Sequence, residues 1–164
     1  MRIRKLAMLF TLVLTGCANY KLTTPYEGAN LPRIPRNYSQ IIVYIPENIW
    51  IAGTKFLVND QETCPVLPGS YLAMNYPAGI LHLKTDATMA TPGYLDLDAK
   101  AGHRYVLRLQ FNKPGASSSA AGLGLLGSAI YGAANSGTPD FSIQVVEEKF
   151  AKNELMRTKK IVCK

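Results

Sequence analysis

The sequence has few of the residues from which catalytic and metal sites are built. The 164 residues include two histidines, His82 and His103, and no group of Cys, His and Asp has the spacing of a zinc site. No serine lies in the setting of a hydrolase nucleophile, and the glycine-rich residues 122–127 precede Ser128 rather than the Lys-Ser pair of a phosphate loop. We therefore expect no enzymatic activity, no metal and no other cofactor.

Charge is also scarce, and this excludes two further classes of protein. Charged residues make up 18% of the chain and hydrophobic residues 48%, so the chain is not globally disordered. Loss of Arg2, Arg4 and Lys5 with a leader would lower the net charge from +7 to +4. That charge is small for a nucleic-acid binder, which needs a concentrated basic face. We expect a globular domain with no nucleic-acid partner.

The N-terminus has the pattern of a bacterial targeting segment. Basic residues at the start are followed by an apolar run over residues 6–14, which is too short to span a bilayer as a helix and fits a signal peptide. The run ends in Leu14-Thr15-Gly16-Cys17, which resembles the lipobox of bacterial lipoproteins. The resemblance implies that residues 1–16 are removed and that Cys17 carries a covalent diacylglycerol and an N-acyl chain.

The residue after the cysteine indicates which membrane carries the anchor. Ala18 stands where an aspartate would signal retention in the inner membrane, so the resemblance implies the outer membrane, with the domain facing the periplasm. Residues 17–39 are predicted to be the lipidated cysteine and a flexible tether, because Pro25, Pro32 and Pro35 interrupt regular structure. Such a tether has a root-mean-square reach of about 25 Å.

From residue 40 onward the pattern predicts short strands joined by turns. Residues 41–45 form a continuous apolar run, typical of a strand buried on both faces, and Pro46 ends it. Leu95 and Leu97 alternate with polar residues, which is the period of a half-buried strand. Further strands are predicted at 55–59, 64–67, 71–76, 80–85, 104–111 and 141–145, with turns at 59–60, 67–69, 77–79 and 99–102.

One helix is predicted near the C-terminus. Residues 147–157 have acids at the start and Arg157 near the end, which suits the helix dipole, and should pack Phe150, Ala151 and Leu155 on a sheet. The fold class is therefore mainly β, an antiparallel β-sandwich with one C-terminal α-helix. It occupies residues 40–164 and follows the signal peptide and tether.

A segment poor in charge interrupts the strand pattern at about residues 113–140. Small residues recur every four positions within it, at Ala120, Gly124, Ser128, Gly132 and Ser136. On a helix they would form the stripe that lets membrane helices pack closely. The alternative is a surface loop, which the glycines and serines favour. Both interpretations stay open, and deletion of the segment should leave the strands intact.

Two cysteines remain once Cys17 is assigned to lipid. Cys64 and Cys163 admit a single pairing, and a domain outside the cytoplasm lies where disulfides persist. We expect an intramolecular bond, for which the two Cα atoms must lie within about 7 Å. Two free thiols, or pairing of Cys163 with another molecule, are the alternatives.

The outward positions of two predicted strands carry positive charge. His82, Lys84, Arg104 and Arg108 would form a basic surface patch for anionic glycan or lipid headgroups if their strands were neighbours. The alternative is an ordinary solvated sheet face. Asp96 and Asp98 share a strand face as well, but strand alternation already accounts for them.

Several short motifs resemble a family of small bacterial envelope lipoproteins that carry a domain of unknown function. Apart from the lipobox leader these are Val43-Tyr44-Ile45-Pro46, Leu67-Pro68-Gly69-Ser70-Tyr71, Pro77-Ala78-Gly79, residues 95–108 and Ala151-Lys152-Asn153-Glu154-Leu155. The resemblance implies a β-sandwich and supplies no catalytic residue.

These patterns together predict a non-catalytic binding or structural module of the cell envelope, anchored to the outer membrane. Its partners would be the membrane and envelope proteins. The alternative is an accessory subunit of an envelope secretion or transport assembly, in which residues 115–138 mediate self-association or membrane contact.

Overall fold

The fold is mainly β, as the sequence predicts. A computed structural model describes residues 20–28, 31–47, 54–86, 90–111 and 141–163, and all statements below concern these residues. The predicted leader and the whole of the predicted insertion lie outside them. The strands are β1 Tyr20–Pro25, β2 Tyr38–Ile45, β3 Lys55–Val58, β4 Gln61–Glu62, β5 Ser70–Pro77, β6 Gly79–Asp86, β7 Tyr94–Ala99, β8 Arg104–Phe111, β9 Phe141–Val146 and β10 Lys159–Cys163, and the helix is α1 Glu148–Leu155.

The strands form two sheets. Six strands pair in the order β1-β10-β5-β2-β8-β9, and four pair in the order β4-β3-β6-β7. The four-stranded sheet is antiparallel throughout. In the six-stranded sheet β10 runs parallel to β5, and β2 runs parallel to β8. The expected all-antiparallel arrangement is therefore wrong for the larger sheet.

The main hydrophobic core takes side chains from both sheets. Leu81 and Leu83 of β6 share it with Leu107 and Leu109 of β8, all at most 3% exposed. Alternate positions of each strand enter the core, as strand geometry requires. The sequence predicted this alternation in β6, β7 and β8. The burial patterns confirm it in β6 and β7, whereas in β8 the neighbouring residues Val106 and Leu107 are both buried, on opposite faces.

Strand β2 is buried on both faces, as its continuous apolar run predicted. Ile41 and Val43 enter the core shared with the smaller sheet, whereas Ile42 and Tyr44 lie on the opposite face, in a second cluster under α1. Helix α1 is what buries that outer face. A central position with cover on each side explains the absence of polar residues from the run.

The helix contacts the sheet through fewer residues than expected. Ala151 and Leu155 are fully buried, since residues four apart share a helix face. Phe150 is 45% exposed, so its predicted packing on the sheet is wrong. It lies one residue before Ala151 and is therefore turned about 100° away from the buried face.

Two of the predicted turns connect different sheets instead of neighbouring strands. The turn at residues 77–79 leads from β5 in the larger sheet to β6 in the smaller one, so these two strands do not pair with each other. The turn at residues 99–102 leads back from β7 to β8. The predicted strand at 64–67 is also wrong: it is reduced to a single bridge from Val66 to Thr54.

The predicted tether is folded over the residues that the structure describes. Strand β1 pairs antiparallel with β10, Tyr20 lying opposite Cys163 and Pro25 opposite Lys159. Residues 31–37 are held as well, because the buried Gln40 donates from Nε2 to the carbonyl of Pro32 at 2.8 Å. Neither β1 nor β10 has the alternation of a half-buried strand. Strand β10 supplies the hydrogen-bond partners of β1 and also pairs with β5, and local sequence does not reveal this pairing.

The predicted insertion leaves from a regular hairpin, and this gives a testable expectation. Phe111 at the end of β8 lies opposite Phe141 at the start of β9, and their rings pack edge to face at 5.4 Å between centroids. Deleting residues 116–137 should therefore preserve cooperative urea unfolding, because a shorter loop lowers the entropy cost of closing this hairpin. Loss of cooperativity in the deletion variant would assign the segment to the folded core.

Candidate functional site

The predicted lipidation site lies just outside the described residues. Cys17 precedes Tyr20 by three residues, and Tyr20 is already paired in β1. A lipid on Cys17 would therefore be attached almost directly to the edge of the six-stranded sheet. Covalent geometry limits the distance between Cys17 and Tyr20 to about 10 Å.

The four residues of the predicted basic patch are not brought together. His82 and Lys84 lie on β6, whose neighbours are β3 and β7, while Arg104 and Arg108 lie on β8, whose neighbours are β2 and β9. His82 and Lys84 therefore lie on the outer face of the smaller sheet. The two arginines lie on the α1 side of the larger sheet. The condition for the patch, that the strands be neighbours, is not met.

Arg108 links helix α1 to the larger sheet. Its Nε donates to Oε2 of Glu154 at 2.9 Å and its Nη2 donates to Oε1 at 3.2 Å, a two-pronged contact with the carboxylate. Tyr44 donates its hydroxyl to the same Oε2 at 2.7 Å. Burial by itself would raise the pKa of the Glu154 carboxyl group. The hydrogen bonds from Arg108 and Tyr44 outweigh burial and hold this pKa below its ordinary value.

A second contact of the same kind lies at the other end of the helix. Arg104 donates from Nη1 to Glu148 at 3.4 Å and from Nε to the buried Gln40 at 2.7 Å. Tyr26 donates its hydroxyl to Glu148, and burial together with this carboxylate raises the pKa of Tyr26 well above its ordinary value. Sequence reasoning missed both glutamates. The available signal was the shared face of Arg104 and Arg108, four residues apart on one strand.

A surface cavity of about 380 Å³ lies beside the Glu154 end of the helix. Pro46, Glu47, Asn153, Glu154 and Arg157 line it. The lining carries both signs of charge, and the Glu154 carboxylate is already bound by Arg108 and Tyr44. Glu47 and Arg157 therefore bring opposite charges to the cavity, and Asn153 adds a polar side chain.

The two acidic residues of β7 each contact a neighbouring side chain. His82 Nδ1 lies 2.7 Å from Asp96 Oδ1, with both side chains more than half exposed, and Asp98 pairs with Lys100. The two aspartates thus make separate contacts at the surface. Among the described residues there is no group of three or more His, Cys, Asp or Glu side chains placed to hold a metal ion.

The predicted partners Cys64 and Cys163 are joined by a disulfide in the structure. Their Cα atoms lie 5.8 Å apart, within the range a disulfide requires, and the bond closes a separation of 99 residues. Cys64 is part of the core between the sheets, and Cys163 lies opposite Tyr20. The bond therefore attaches the edge pair β1 and β10 to the interior of the domain.

Comparisons with known proteins leave the family open. No family model, curated protein or solved structure matches the chain. In the part of the chain that the structure describes, no helix has the length and apolar character needed to cross a membrane. The resemblance to envelope lipoproteins therefore stays a prediction that rests on its residues.

Proposed function

We propose that the protein is a lipoprotein of the outer membrane, attached through Cys17 and facing the periplasm. The observation that carries the proposal is Leu14-Thr15-Gly16-Cys17 at the end of a leader with a basic start and an apolar run. The small residues before Cys17 suit cleavage by a lipoprotein peptidase. The folded body acts as a β-sandwich that binds or supports other envelope components without catalysis.

Acyl chains on Cys17 would give a stable attachment. Each buried methylene contributes about 0.8 kcal/mol, so two or more chains hold a protein to a bilayer where one does not. The disulfide between Cys64 and Cys163 agrees with this location, because disulfides form and persist in the periplasm.

Replacing Cys17 by serine tests the proposal directly. We expect Cys17→Ser to abolish labelling by a radioactive or clickable fatty acid and to leave an unprocessed precursor or a soluble form, because the thiol that accepts diacylglycerol is gone. Ala18→Ser, which keeps the thiol, should be labelled normally. Normal processing and membrane retention of Cys17→Ser would refute the anchor.

The alternative function, a subunit of an envelope assembly, has one structural observation in its favour. Phe150 and Met156 are 45% and 57% exposed on and beside α1, where they could contact a partner. Cross-linking followed by sizing distinguishes the two functions. A defined complex that disappears when residues 116–137 are deleted would favour the assembly subunit.

A further inference from the structure

One end of the six-stranded sheet is formed by three loops that are bonded to one another. We call it the proximal end and define it as residues 31–38, 77–80 and 99–103. Tyr38 pairs with Pro77, the amide of Ala78 donates to Asn37 at 2.9 Å, and the amide of Gly102 donates to Tyr38 at 2.8 Å. Strand β1 begins toward this end, because it runs antiparallel to β10 while β10 runs parallel to β5.

The chain from Tyr20 back to Cys17 can extend about as far as these loops. Lys160 lies opposite Tyr71, and continuing this register brings Cys163, and with it Tyr20, level with Met74. Pro77 lies three residues further on, or about 10 Å along the strand. The three residues from Cys17 to Tyr20 also span at most about 10 Å. A lipid on Cys17 can therefore reach a bilayer when the proximal end is at the bilayer surface.

The proximal end has the charge that an anionic membrane attracts. Its three segments contain Arg33, Arg36, Lys100 and His103 and no acidic residue. Lys21, beside Tyr20 in β1, is exposed too, and no ion pair with a described residue neutralises Lys21, Arg33 or Arg36. Asp98, which pairs with Lys100, and Asp60 in the β3–β4 turn belong to the four-stranded sheet. Unpaired positive charge therefore collects on the sheet that β1 joins.

The arginine-bearing loop is preorganised by the sheet beneath it. Gln40, which is fully buried, donates to the carbonyl of Pro32, and Asn75 donates from Nδ2 to the carbonyl of Arg33 at 3.3 Å. The amide of Tyr38 donates to Pro35 at 3.2 Å. Because the backbone is already ordered, a contact through this loop costs little additional entropy.

Two apolar side chains are exposed at the proximal end, Tyr38 on the larger sheet and Ile80 on the smaller one, opposite Asp98. Tyr38 begins β2 and is 36% exposed, and Ile80 follows the 77–79 turn and is 57% exposed. Tyrosine is enriched at the headgroup level of membranes, where one end of its side chain is wet and the other is apolar. An aliphatic side chain beside it can enter the upper acyl region.

We propose that the proximal end, together with Lys21 near the start of β1, is a membrane-contact surface, in which Lys21, Arg33 and Arg36 bind anionic phospholipid headgroups and Tyr38 and Ile80 enter the interface. The orientation argument depends on the proposed lipid at Cys17, whereas the charge and exposure of the surface do not. Contact of this kind fixes how the domain stands on its membrane.

This orientation also places the attachment points of the predicted insertion. Phe111 and Phe141 lie at the end of the β8–β9 pair opposite Arg104, and a strand of eight residues is about 25 Å long. With the proximal end on the membrane, Phe111 and Phe141 lie on the side of the domain that faces away from it.

Vesicle sedimentation of the unlipidated mature chain tests the surface without the anchor. Residues 17–164 with Cys17→Ser should bind vesicles of equal parts phosphatidylglycerol and phosphatidylcholine, and should not bind phosphatidylcholine alone. Each basic residue near an anionic surface contributes about 1 kcal/mol, or about fivefold in partitioning, so Arg33→Gln with Arg36→Gln should weaken binding by about 25-fold. Higher salt should weaken it further.

A matched pair of substitutions controls for net charge. Lys152→Gln with Lys159→Gln removes the same charge from exposed positions at the other end of the domain and should leave partitioning within about twofold. Equal loss in both pairs, or no preference for anionic vesicles in the starting protein, would overturn the contact surface. Fatty-acid labelling of Cys17 in cells is a separate measurement. Absence of labelling together with normal vesicle binding would refute the proposed function but not the membrane-contact surface.

Discussion

Removing the disulfide by replacing Cys64 and Cys163 together with alanine is expected to lower the free energy of unfolding by about 4 kcal/mol. The bond closes a loop of 99 residues, and a cross-link of about that size removes about this much free energy from the unfolded chain as loop-closure entropy. Alanine is the better replacement at Cys64, which is 4% exposed in the core, because serine would bury a hydroxyl group.

The lower free energy of unfolding should be measurable as a lower midpoint of urea unfolding in the double variant. Reducing agent should produce the same shift in the natural sequence and none in the double variant, which serves as the control. Hydrogen exchange should accelerate first in β10 and β1, since Cys163 lies opposite Tyr20 and the bond holds this edge pair to the core. Two thiols titrating in unreduced periplasmic protein would contradict the prediction.

Replacing Arg108 by alanine is expected to cost about 2 to 3 kcal/mol, the usual range for losing hydrogen bonds to a charged group. The variant loses both bonds to Glu154 and the bond from Nη1 to Gln110, and the arginine side chain is 14% exposed. Lys55→Ala is the control, because its ion pair with Glu62 is half exposed and should contribute less than about 1 kcal/mol.

The pH dependence of stability separates this effect from simple loss of packing. The pKa of Glu154 is lowered in the folded protein, so its contribution is present above the ordinary pKa of glutamate and is lost as the pH falls through the lowered value. Without Arg108 the lowering should shrink, and the stability of the variant should fall less steeply in acid than that of the natural protein. Parallel curves of unfolding free energy against pH would show that Arg108 does not hold the pKa of Glu154 low.

Sequence alone determined the features that depend on near neighbours in the chain. Period-two alternation located β6, β7 and β8, and the unbroken run at residues 41–45 identified a strand covered on both faces. These predictions succeed because side-chain direction alternates along any strand, whatever its partners. The disulfide partners followed by elimination, since two cysteines allow one pairing.

The tertiary structure alone decided which strands pair and therefore which side chains meet. Alternation at residues 71–76 and 80–85 shows two strands and a turn, but it does not reveal that the turn changes sheets. For the same reason Arg104 and Arg108 were expected beside His82, whereas helix α1 covers them and supplies Glu148 and Glu154 as partners. Strands β1 and β10 depend on each other across more than 130 residues. Pairing over such distances is selected by the free energy of the whole fold, and no local pattern encodes it.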